Sequence, residues 1–277
     1  MAPHYPTIET EGLNLTGMAP EDLAALQGAV RSLEHPGLAA RLTNMVGKPI
    51  ELIGNVLPAS ATHAITTATS KGLDVALKVA LRTMQHTPHA GSRLLHKALA
   101  TASGAAGGAF GLASLPIELP VSTIIMLRSI ADIARSEGED LSDPESALSC
   151  VQVFALGGRA GSADPSQSGY FAVRGILAKS VTEAARFIAE RGIFEEGAPV
   201  LVRFITLVAS RFGVVVTQKV AAQALPVFGA LGGAAVNYAF MEHFQEMARG
   251  HFTVRRLERV YGKNVVRTEY ERLAQEH

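Results

Sequence analysis

The chain has 277 residues, of which 48% are hydrophobic, enough for a sizeable core in one large domain or two small ones. Its 25 basic residues balance 25 acidic ones, so no global field draws nucleic acid or acidic substrates, and nucleic acid is not an expected partner. The single cysteine, Cys150, excludes an internal disulfide framework and reads as a buried, inert thiol in an apolar helical pattern.

Residues 1–18 carry proline, threonine and glycine without periodicity and read as an N-terminal arm; residues 19–277 read as a single helical domain. The N-terminus has no basic region followed by an apolar one, so a cytoplasmic location is expected, peripheral to the inner membrane where the chain meets lipid. Pro20, Glu21 and Asp22 put proline and acids in the first turn of a helix that should stop before His35-Pro36-Gly37. Pro49 and Pro58 break the short pieces that follow, and a longer helix is predicted over 60–85. Residues 98–117 hold no charge but contain Gly104, Gly107, Gly108 and Gly111. A helix from Leu119 to Glu137 should end at Gly138, and Ser142, with Glu145 three residues on, is the predicted capping box of a helix ending at Gly157-Gly158. Residues 157–169 are the predicted flexible loop. Helices follow over 170–190 and 198–224. A second charge-free run, Val220–Met241, is broken at Pro226 and carries Gly229, Gly232 and Gly233; its helix continues to Arg249, and two short basic helices finish the chain. No stretch alternates with period two, so the predicted fold is an all-α bundle with the two glycine-rich helices packed at its centre.

Leu115-Pro116-Ile117-Glu118-Leu119-Pro120, followed by Met126-Leu127-Arg128-Ser129-Ile130-Ala131-Asp132-Ile133-Ala134, resembles a core motif of the EcsC family. So does Asn237-Tyr238-Ala239-Phe240 with His243-Phe244 and Ala248-Arg249-Gly250-His251-Phe252, and the resemblance spans residues 90–265. The family is bacterial and named after a protein encoded beside an ABC transporter. The resemblance therefore implies a helical fold and a transport or membrane context, with a membrane transporter among the implied partners. It carries over no catalytic residue.

On a helix, Glu118, Ser122, Ile125, Ser129, Asp132 and Ser136 share one face, and Arg128 could turn towards Asp132 at i+4. With Asn237, this makes Glu118, Ser122, Arg128, Ser129 and Asp132 the candidate ligand-binding set; a solvated face, or a carboxylate held by Arg128, is the plainer reading. Glu118 lies between two prolines that interrupt backbone bonding, so its carboxylate could accept freed N–H groups. In an apolar pocket it would instead become a general acid, and a hydrolase would pair Glu118 or Asp132 with His243. Asn237 either fixes helix register or lines a ligand cavity. His243 and Glu246 have the spacing of some metal-ligand pairs, but two residues are not a site; no metal and no cofactor is expected. Phosphate-loop, dinucleotide, zinc-protease and nucleophile-elbow motifs are all missing from the sequence.

The glycines of both runs recur at a spacing of four, a flat face on which another backbone can lie close. Such runs suit either a soluble core or packing in a bilayer. Arg255, Arg256, Arg259 and Lys263 cluster beside Phe252, Val254, Leu257 and Tyr261, which suits an anionic membrane surface. The alternative is pairing with the acidic stretch Glu137–Glu145. The leading expectation is a membrane-peripheral accessory or lipid-handling protein whose partner is an anionic membrane surface or a hydrophobic ligand; the alternatives are the hydrolase and an interaction scaffold. An enzyme requires Glu118, Asp132 and His243 to converge.

Overall fold

The computed structural model describes residues 17–34, 37–46, 58–83, 115–157, 169–191, 198–223 and 229–276. The expectations for residues 1–16, for Gly104 to Gly111, for loop residues 158–168 and for Pro226 lie outside the described residues, as does the packing of one glycine run on the other. The described elements are all helices: α1 (Pro20–Glu34), α2 (Leu38–Val46), α3 (Ala59–Thr83), α4 (Leu115–Ser136), α5 (Pro144–Leu156), α6 (Gly169–Arg191), α7 (Pro199–Gln223), α8 (Gly229–Tyr261) and α9 (Lys263–Gln275). The fold is all-α, as the absence of period-two alternation requires.

Helix α5 forms the middle of the described core. Every residue from Ser146 to Ala155 is buried, and α3, α4, α6, α7 and α8 all pack against it. Its Phe154 ring lies 4.8 Å from Phe212 of α7 and 5.3 Å from Phe244 of α8, centroid to centroid. Such aromatic contacts add about 0.5–1.5 kcal/mol each beyond area burial, so this hub ties three helices together. A smaller cluster forms beside the main core from Met18, Leu26, Val30, Tyr170, Val254, Leu257, Tyr270 and Leu273. There Glu34 accepts from the Gly169 and Tyr170 N–H groups, each at 3.2 Å, satisfying donors that the α6 N-terminus leaves open, and from the Tyr270 hydroxyl at 2.9 Å. Leu33 and Leu156 pack against both clusters.

Three boundaries differ from expectation. The cap of α5 is Asp143, not Ser142: Asp143 Oδ2 accepts from the Ser146 N–H at 3.0 Å, while Ser142 donates to Asp140. Pro144 occupies the first helical position, and the residue before it must then be the cap. Helix α4 begins at Leu115 and runs through Pro120. Helix α8 does not stop at Arg249 but runs on to Tyr261, 33 residues from its start at Gly229. Gly250 is a packing position rather than a stop, since a Cβ there would lie 2.7 Å from Leu33 Cγ and 3.2 Å from the Ala29 carbonyl of α1. The break comes at Gly262, whose φ of 86° other residues rarely adopt.

Candidate functional site

Three helices bring polar side chains together at one end of the bundle. Glu118 stands in the first turn of α4, Lys219 in the last turns of α7 and Asn237 in the third turn of α8. Lys219 Nζ donates to Glu118 Oε1 at 2.7 Å, and Asn237 Nδ2 donates to the same oxygen at 3.4 Å. Lys219 is wholly buried, and its ammonium lies 5.0 Å from the centre of the Phe240 ring, within cation–π range. Burial pushes the Lys219 ammonium down, against the opposing pull of Glu118, and its net pKa is below the ordinary lysine value. A charged pair in this setting resists loss of either partner, because the remaining charge would be buried alone.

Lys219, directly before the uncharged run Val220–Met241, is the site residue missed in the sequence. Its spacing held the signal. Lys219 falls three and four residues after Val216 and Val215, on the face that also buries Phe212 and Ala222.

The predicted polar stripe of α4 does not act as one surface. Ser122 is buried and donates to the Leu119 carbonyl at 3.1 Å. Ser129 accepts from Gln245 Nε2 at 2.7 Å, a second buried bond between α4 and α8. Asp132 bonds Arg135 at 3.2 Å, while the anticipated partner Arg128 is exposed; the i+3 arginine reaches the carboxylate that the i−4 arginine does not. Glu118 and Asp132 lie 14 residues apart on one helix, about 21 Å along its axis at 1.5 Å per residue.

His243 faces elsewhere again. Its Nε2 is 3.1 Å from the carbonyl of Gly157, the C-cap of α5. Burial, with a smaller contribution from Arg41, outweighs that hydrogen bond and lowers its pKa to about 4. The ring is therefore neutral at pH 7, and Nε2–H donates to an open helix-end carbonyl. Glu246, its imagined metal partner, instead pairs with Arg41 of α2. Among the described residues no group of three or more histidine, cysteine or acidic side chains forms a metal cluster. Glu118 and Asn237 thus come together, whereas Asp132 and His243 each hold a separate structural contact.

The basic C-terminal residues are engaged within the fold. Arg255 donates to both oxygens of Glu139 at 2.9 and 3.0 Å, and Arg259 also pairs with Glu139. Arg256 bridges Glu137 at 3.0 Å and Asp22 at 2.9 Å. The pairing with the acidic stretch is the reading that the geometry matches; of the four basic residues, Lys263 is exposed at the start of α9. Burial alone would raise the Glu139 pKa, but the hydrogen bond and charge of Arg255, with Ser146 and Arg259, bring it down to about 2.

The described residues thus form an all-α bundle with a buried Glu–Lys–Asn junction. The chain belongs to the EcsC protein family, whose model matches residues 21–257. No curated protein and no solved structure matches it.

Proposed function

We propose that the protein is membrane-peripheral and handles lipid or another hydrophobic ligand in a transport or export context, lying on the bilayer through the outer face of α7. The observation that carries this reading is the composition of that helix. It has 25 residues and a mean hydropathy of 1.8 over its most apolar 18-residue window, yet only 33% of that window is buried. Val202 and Val214 are exposed on the outer face. The hydroxyls beside them need no water: Thr206 donates to the Val202 carbonyl at 2.8 Å, Ser210 to Leu207 at 2.9 Å and Thr217 to Gly213 at 2.8 Å. The hydroxyls of this face can therefore meet an apolar phase without being stranded, and the long side chain of Arg203 on the same face can reach the headgroups.

The same helix argues against spanning. Its inner face sends Phe204, Val208, Phe212, Val215 and Val216 into the main core and Lys219 onto Glu118. Surrounding α7 with lipid would remove all of these contacts, whereas lying flat on the interface keeps them. The hydrolase reading has less support, since Glu118, Asp132 and His243 do not converge.

Vesicle co-sedimentation tests the proposal. The full chain should pellet with vesicles containing phosphatidylglycerol and be released by alkaline carbonate. Pelleting that survives carbonate would replace the peripheral reading with a spanning one. A chain that stays in the supernatant with every vesicle composition at low salt would overturn the membrane reading itself.

A further inference from the structure

We infer that the membrane-facing surface is the outer side of the α6–α7 pair and that it selects anionic headgroups through Lys179, Arg186 and Arg203; the inference rests on the membrane-peripheral reading. Although the chain has no net charge, its charges are not evenly placed. Helix α7 carries Arg203, Arg211 and Lys219 and no carboxylate at all. Helix α6 exposes Lys179 and Arg186, with Glu183 half-buried between them and Glu190 one turn further on. By contrast, Arg255, Arg256 and Arg259 are neutralised by Glu137, Glu139 and Asp22. Lys179, Arg186 and Arg203 are therefore exposed cations on α6 and α7, whereas the C-terminal arginines are tied to their carboxylates.

Glu183 does not cancel this charge. It lies 3.8 Å from Lys179 and 3.7 Å from Arg203, so one carboxylate is shared loosely between two cations. The cations are 84% and 65% exposed, and such surface pairs are held weakly. The Glu183–Arg203 contact also shows that α6 and α7, which share the main core, lie side by side. Lys179, Glu183 and Arg186 recur at i+4 and i+3 along α6, and Val202, Thr206, Ser210 and Val214 follow each other along α7. Ile176, 56% exposed, adds an aliphatic side chain one turn before Lys179. A basic row beside an apolar strip with self-satisfied hydroxyls has the amphipathic order of an interfacial surface: long cationic side chains reach phosphates while the aliphatic strip sits deeper. An anionic bilayer is the occupant that complements both parts.

The test is co-sedimentation of the full chain with phosphatidylglycerol-containing and pure phosphatidylcholine vesicles. Each lost cation should weaken binding to the anionic vesicles about fivefold, so the triple variant Lys179→Gln/Arg186→Gln/Arg203→Gln should bind them about a hundredfold more weakly. Its binding to phosphatidylcholine should not change, and Lys263→Gln should bind as wild type does. Lys179→Gln alone, at a side chain that is 84% exposed, should show the single-step loss and serves if the triple variant unfolds. Undiminished anionic binding by the folded variants, with wild-type binding intact, would overturn this surface while leaving the peripheral reading standing. A loss in Lys263→Gln instead would move the contact to the C-terminal cluster. A wild-type dimer in light scattering that the triple variant dissolves would give the face to a second copy of the chain and likewise overturn the inference. Failure of the wild type to bind any vesicle would remove the peripheral reading first.

Discussion

Glu118→Gln should lower the stability of the fold by about 3–5 kcal/mol, the usual cost of removing one partner from a buried ion pair. The substitution keeps the shape of the side chain and one acceptor oxygen but removes the charge. It leaves the Lys219 ammonium, wholly buried and 2.7 Å away, without its counter-charge. Lys219→Met should cost a similar amount, because Glu118 would then be the buried charge without its cation. The double variant Glu118→Gln/Lys219→Met should be less destabilised than the sum of the two, since it buries no uncompensated charge. Denaturant unfolding of the four proteins gives the coupling directly. Additive single effects, or a wild-type midpoint for Glu118→Gln, would mean that the pair does not hold α4 to α7.

The second large effect is pH-dependent. In the folded chain the Glu139 carboxyl titrates at about 2, against an ordinary value of 4.5. A group whose pKa is depressed by folding stabilises the fold above its unfolded value and ceases to do so as pH falls through its folded value. The difference corresponds to about 3 kcal/mol, present at neutral pH and lost progressively between about pH 5 and pH 2. Glu139→Gln should therefore be destabilised at pH 7 by an amount of that order. The gap between variant and wild type should narrow steadily on acidification. Unfolding free energies measured from pH 7 to pH 2.5 check this, and a gap that stays constant with pH would show that Glu139 acts by packing and not by charge.

The sequence made the helical class legible, and with it the parts of the molecule that depend on local chemistry. Pro20-Glu21-Asp22 opens α1 where proline and acids favour a first turn, and α5 ends at Gly157 as its glycines suggest. Boundaries failed where a neighbour decides the outcome. Gly250 looks like a helix end in sequence, but α1 lies against it, and close packing offsets the glycine's intrinsic cost. The candidate site was half visible. Glu118 and Asn237 stood out as polar residues in apolar surroundings, and they do meet. The pairing of Lys219 was hidden because its partner is 101 residues away, and no periodicity encodes which buried faces will touch. Likewise, a basic helix facing lipid and one facing Glu137 and Glu139 have the same sequence pattern; only the α4–α8 packing distinguishes them.

The peripheral placement of α7 can be read most directly from an environment-sensitive fluorophore. Thr206→Cys places a thiol on the outer face, and Lys263→Cys places a reference thiol on the exposed start of α9. The native Cys150 does not interfere, being buried, with a thiol whose pKa is pushed well up by that burial. On adding vesicles that contain phosphatidylglycerol, the fluorophore at Thr206→Cys should shift to the blue and brighten, while the one at Lys263→Cys should keep its aqueous spectrum. A Thr206→Cys probe that remains in water while the protein is vesicle-bound would contradict the placement of α7 on the bilayer.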